Sequence, residues 1–180
     1  MKHVLSTMSA GLLVGISLLL ATSAFAADTA LDISGNITAS GCEVDVGSIN
    51  QKVDIGTFSG KDFPSVGSTS AFKAMNINLS HCYDKLTSIE VKFSGVADAD
   101  NPALLAVTDT ESGGTLATGI GVELLDNGGK AIPFNAETPQ TFDLEEGTNT
   151  LSFLVRYKST RYPVTSGDAS TVMFFDITYQ

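Results

Sequence analysis

Apolar side chains recur at every second position along most of this chain, and that alternation constrains the fold more than any other feature. The runs are Ile89, Val91, Phe93; Ile120, Val122, Leu124; Leu151, Phe153, Val155, Tyr157; and Met173, Phe175, Ile177, Tyr179. Successive side chains of a strand point to opposite faces, so each run predicts a strand with one buried face. Met75, Ile77 and Leu79 make another run ending at Cys82, and Val53 and Ile55 mark a further strand after Cys42. Between the runs, Asp126-Asn127-Gly128-Gly129 and Glu145-Glu146-Gly147-Thr148-Asn149 are turn sequences in which positive φ is inexpensive. The stretch from Asp98 to Thr118 is poorer in pattern and predicts a loop carrying a short strand around Leu104 to Val107. No helical periodicity follows the first 26 residues, so the expectation is an all-β sandwich of immunoglobulin-like topology.

The N-terminus carries a different signal. Lys2 precedes the apolar run Gly11 to Leu20, and Ala24-Phe25-Ala26 supplies the small-residue pattern of a signal-peptidase site. The run is shorter than the ~20 apolar residues needed to span a bilayer, so residues 1–26 are expected to be a cleaved signal peptide and not an anchor. Removal leaves 154 residues, enough for one domain, and takes Lys2 with it, so the net charge moves from −10 to −11. Export leads to an oxidising compartment, where Cys42 and Cys82 are expected to pair. Chain-entropy arithmetic values closure of that loop at about 4 kcal/mol. The competing reading, a redox or nucleophilic thiol, lacks a C-x-x-C spacing.

Composition narrows the chemistry. Twenty Asp and Glu against ten Lys and Arg repel nucleic acid and anionic membranes, so neither a nucleic-acid partner nor membrane insertion is expected. His81 is the one histidine beyond the signal peptide, and beside a bridged Cys82 it has no second imidazole for zinc and no free nucleophile for a triad. It reads as a surface residue at a strand end. Asp98-Ala99-Asp100-Asn101 lacks the spaced ligands and terminal Glu of a calcium loop and reads as a solvated turn. The many Ser and Thr hydroxyls have no partner base. No catalytic residue, metal or cofactor is expected, and the chain reads as a non-enzyme.

Two motifs near the C-terminus point further. Tyr179 is penultimate and Gly167 is fourteenth from the end, a pairing that resembles the terminal signature of pilus subunits assembled by the chaperone–usher pathway. The mature start, Ala27 to Ile37 followed by Gly41-Cys42, is similar to the donor-strand extension of such pilins, with a glycine inside the alternating register. The likeness runs the full mature length. Phe93 to Asp98 with Leu104 to Ala106, Gly119 to Leu125 and Pro163 to Gly167 most resemble the minor, adaptor-type pilin of the type 1 fimbrial tip, and the 15-residue lead before Cys42 fits that class.

The resemblance implies a six-stranded immunoglobulin-like domain, residues 42–180, that lacks its seventh strand. A hydrophobic groove is then expected beside the C-terminal strand, with Gly167, Phe175, Ile177 and Tyr179 as its acceptor and chaperone-recognition residues. Residues 27–41 become a donor extension in which Leu31, Ile33 and Ile37 face one way and Gly35 meets a pocket too shallow for a side chain. The implied partners are a periplasmic pilus chaperone, the outer-membrane usher and neighbouring pilin subunits, with the cell-surface fimbrium as destination. Three alternatives stay open from the sequence. The 31–37 segment is also readable as an ordinary first strand, the subunit as a shaft pilin, and the domain as a secreted carbohydrate-binding sandwich, although it has no Trp for sugar stacking.

Overall fold

A computed structural model describes residues 41–108 and 113–180. The signal-peptide expectation for residues 1–26 and the donor residues Leu31, Ile33, Gly35 and Ile37 lie outside these described residues. The alternating runs form the strands they predict. In chain order these are β1 (Glu43–Val44), a single helical turn α1 (Val46–Ile49), β2 (Lys73–Cys82), β3 (Ser88–Gly95), β4 (Leu105–Ala106), β5 (Ile120–Asp126), β6 (Ala131–Ile132), β7 (Gln140–Asp143), β8 (Gly147–Ser159) and β9 (Met173–Tyr179). Six of them carry the architecture, β2, β3, β5, β7, β8 and β9, and the two-residue pairings β1, β4 and β6 sit at the margins.

Every ladder between these strands is antiparallel. One sheet runs β1-β2-β8-β5-β4 with β6 also on β5, and the other runs β7-β3-β9. The register brings like faces together: Met75 lies opposite Phe153 and Leu124 opposite Val155 in the first sheet, while Ile89, Val91 and Phe93 face Tyr179, Ile177 and Phe175 in the second. The inward faces of both sheets form the core, in which Phe153 meets Phe93 and Phe142 edge-on at 5.0 and 5.6 Å between centroids. A smaller cluster of Phe63, Ala117 and Ile120, joined by Phe58 and Tyr157, closes one end.

Two departures from the alternation have physical causes. Val53 and Ile55 turn inward and pack against the core as expected, yet no strand forms there, because the segment has no hydrogen-bonded ladder among the described residues. The disulfide therefore does not join that segment to β2. It joins Cys42, just before β1, to Cys82 at the end of β2. Near this bridge the β2–β8 register shifts between Leu79 and Cys82, and His81 takes a positive φ of 53° there with its Nδ1 3.1 Å from Glu43 Oε2 at the surface.

The second departure is β5, where Ile120 to Leu125 are buried on both faces. Leu104 and Leu105 cover Gly121 so closely that a Cβ there would stand 3.0 Å from the Leu105 carbonyl oxygen. Glu123 is 3% exposed, and Arg156 Nε and Lys158 Nζ each donate to its carboxylate at 2.7 Å from β8. Burial pushes the Glu123 pKa up. Hydrogen bonds and charge from Lys158 and Arg156 outweigh it and leave the net value below the ordinary 4.5.

Two predictions follow from this frame. Alkylation of the exported protein without reduction should label neither cysteine, and Cys82→Ser should destabilise it by about 2–5 kcal/mol in denaturant titration. A carboxylate with a depressed pKa gives stability that is present above the unfolded value and lost as pH falls through the folded one. Glu123→Gln should therefore cost about 1.5–3 kcal/mol at neutral pH, and its deficit relative to wild type should shrink in titrations taken progressively below pH 4.5.

Candidate strand-acceptor groove

The two edges of the three-stranded sheet are β7 and β9, and β3 is the one strand that forms a backbone ladder with β9 among the described residues. The inward side chains of β9 show the consequence. Ile89, Val91 and Phe93 of β3 are 0–2% exposed, whereas their register partners Tyr179, Ile177 and Phe175, with Met173, are only half-buried. Apolar residues in the correct register for a core thus lack cover on one side.

A cavity of about 520 Å3 occupies that side. Met173 and Phe175 of β9 form one wall, and the unladdered segment Gln51 to Ile55 forms the other. Met75, Ile77, Val122 and Val155 of the opposite sheet line it from across the sandwich, and Ala169 to Val172 line it beside the start of β9. The gap is bounded by a strand with a free edge and by an extended, ladderless segment, with apolar side chains beneath. That is the shape left when one strand is removed from a sandwich, and its chemistry suits an extended peptide with alternate apolar side chains.

The expected acceptor residues do not all meet here. Phe175 lines the cavity, and Ile177 and Tyr179 continue the same face of β9 beyond it. Gly167 does not line it. This glycine has φ of 158°, and a Cβ on it would collide with the Thr115 carbonyl and the Leu116 backbone. Asp168 N donates to Thr115 O at 2.7 Å and Ala117 N to Asp168 O at 2.9 Å, so Gly167 lets the segment before β9 lie against residues 115–117. Tyr179 turns its hydroxyl to the Cys42 carbonyl, donating at 2.8 Å. The small residues Ala169 to Thr171 and the turn Ser48-Ile49 complete the lining without any signal in the sequence, since none stands in an apolar alternation.

Other chemistry is sparse. Among the described residues no group of three or more His, Cys, Asp or Glu is placed to hold a metal, and no helix is long and apolar enough to cross a membrane. Asp98 accepts from the amides of Asp100 and Asn101, and Asp100 pairs with Arg161 at 2.7 Å, so the acidic loop is internally bonded.

Known proteins share this fold. The model of the fimbrial protein family matches residues 31–180. The chain is 40% identical over 151 residues to the uncharacterized fimbrial-like protein YcbU of Escherichia coli (strain K12), covering 83% of each chain. It is 34% identical to a type-1 fimbrial protein subunit of Serratia marcescens, covering 89% of this chain and 91% of that one. Among solved structures, the Burkholderia pseudomallei antigen and type I fimbria protein superposes with a TM-score of 0.59 at 33% identity, over 79% of this chain and 91% of that one. The P pilus rod subunit PapA has the same fold, with a TM-score of 0.64 at 22% identity over 78% of this chain and 100% of that one. An all-β sandwich with an open edge and these relatives lead to one conclusion: the chain belongs to the fimbrial protein family, as a structural, non-enzymatic subunit that polymerises with other subunits into surface fimbriae.

Proposed function

We propose that this subunit polymerises by donor-strand exchange through the chaperone–usher route. The observation that carries the reading is β9: among the described residues one of its edges is laddered, its inward face is half-covered, and a cavity floored by apolar side chains lies beside Met173 and Phe175. An exposed edge of this kind templates pairing with any extended chain, so it must be covered from the moment of export. In this reading a periplasmic chaperone strand covers it first. At the outer-membrane usher, the 27–41 extension of another subunit replaces that strand, and this chain's own extension fills a neighbour's groove in turn.

The donor energetics are adequate. Leu31, Ile33 and Ile37 share one face, and burying three aliphatic side chains at roughly 1.5–3 kcal/mol each gives on the order of 5–9 kcal/mol before ordering costs. A one-residue slip would turn Asp32 inward, so the alternation fixes the register. Within the fimbrium we assign the chain to a minor adaptor position near the tip. The 15-residue lead before Cys42 and the adaptor-like segments Gly119 to Leu125 and Pro163 to Gly167 support that position over the shaft. Labelling of this subunit along isolated fimbriae separates the two, a single mark at the tip supporting the adaptor and continuous decoration the shaft.

The exchange itself is testable in vitro. A peptide spanning Ala27 to Thr38 is mixed with the chaperone-bound subunit, and release of chaperone is followed over time. The wild-type peptide should displace it. A Gly35→Leu peptide should bind about 5- to 150-fold more weakly, the equivalent of the ~1–3 kcal/mol typical of overpacking. Failure of the wild-type peptide, or equal performance of the two, would mean that the segment is an ordinary first strand.

A further inference from the structure

The penultimate tyrosine does more than continue the inward face of β9. Its ring lies against Gly41, where an added Cβ would stand 3.3 Å from Cε2, and its hydroxyl donates to the Cys42 carbonyl at 2.8 Å. The Cys42 sulfur is bonded to Cys82, the last residue of β2. Residue 42 is thus attached at two points, through its side chain to the larger sheet and through its backbone to the smaller one. Tyr179 is itself seated, opposite Ile89 on β3, with the next amide, Gln180 N, donating to Ser88 O at 3.3 Å.

We propose that Tyr179 is a positioning residue for fibre assembly: together with the disulfide it clamps the root of the N-terminal extension and fixes the direction in which that extension leaves the domain. A disulfide alone leaves a backbone free to swivel about the bonds of its side chain. A second attachment one carbonyl away removes that freedom. Gly41 suits the task because any side chain on it would crowd the ring. The consequence for the fibre rests on the donor-strand reading above. The extension before Gly41 carries the link to one neighbour, while β9 borders the groove that receives another, and Tyr179 joins the two directly. Together with the disulfide, this contact limits how far the joint between subunits can swivel.

The test uses Tyr179→Phe, which keeps the ring and loses the hydroxyl. Ser159→Ala serves as control, because its hydroxyl donates to Ser65 O at 2.6 Å away from both the groove and Cys42. Two readouts are taken. In the chain purified from periplasm with whatever it has bound, amide exchange is measured at Glu43, which pairs with Ser80 across the β1–β2 ladder, and at Asp45, which donates to Asn78 O. Each variant is also joined through its extension to an acceptor subunit, and the spread of angles between the two is measured from images of the pairs. Tyr179→Phe should quicken exchange at Glu43 and Asp45 about five-fold, the loss expected for one hydrogen bond, and should widen that spread. Gly41→Ala, which crowds the ring without changing the sequence of β9, should shift both in the same direction. Unchanged exchange in Tyr179→Phe, or an equal rise in the Ser159→Ala control, overturns the clamp. An unchanged spread of angles overturns its role in assembly. Failure of the wild-type chain to join the acceptor counts against donor-strand exchange instead, and the exchange comparison still decides the clamp.

Discussion

Among the described residues, a strand laddered on one side only is the constraint on which the rest of this molecule depends. β9 supplies Met173, Phe175, Ile177 and Tyr179 to the inside of the sandwich, yet all four are only half-buried, and a cavity lies beside the first two. Completing the burial of one such side chain is worth on the order of 1 kcal/mol, about half the value of full burial, and an added ladder would pair a row of backbone groups besides. The domain therefore gains from an added strand in a way that a closed sandwich does not. In the proposed function, the property that drives polymerisation also makes the subunit hazardous alone, since a bare edge pairs with any extended chain.

The remainder of the fold is arranged around that opening. In the larger sheet β8 is central, flanked by β2 and β5, and β5 is covered on its outer face by Leu104 and by the Glu123, Arg156 and Lys158 cluster. The disulfide and the Tyr179 hydroxyl meet at Cys42, so the start and end of the domain are tied to each other and to both sheets. Gly167 packs the approach to β9 against residues 115–117, which places Ala169 to Val172 at the mouth of the groove. A stable frame thus holds one side open in a defined shape.

The long strands were legible because each lies in an antiparallel sheet with one face inward, which prints a period of two on the sequence. Where that condition fails, the reading fails with it. β5 is buried on both faces, but Gly121 and Glu123 give no sign of it, because one is covered by its neighbours' bulk and the other is neutralised by partners 33 and 35 positions away. Val53 and Ile55 alternate like a strand and pack like one, yet a ladder needs a second chain segment that the sequence pattern does not reveal. Part of the groove could be read, from Met75, Ile77, Val122, Val155, Met173 and Phe175, which stand in the alternating runs. The lining by Ser48 and by Ala169 to Thr171 could not, since small polar residues in loops carry no periodicity. Gly167 was legible only as part of a family motif. Its physical reason, a close approach to backbone fifty positions earlier in the chain, is a tertiary fact.

The central claim, that one added strand beside β9 completes this domain, is tested most directly by attaching residues 27–38 after Gln180 through a short flexible linker and measuring size and thermal unfolding. A tight reversal after β9 brings the attached segment back antiparallel along the free edge. The account predicts a monomer that is soluble without chaperone and unfolds at a clearly higher temperature than the unextended chain. The same extension carrying Gly35→Leu should lose most of that gain. Equal size and equal melting temperature with and without the attached strand would contradict the account.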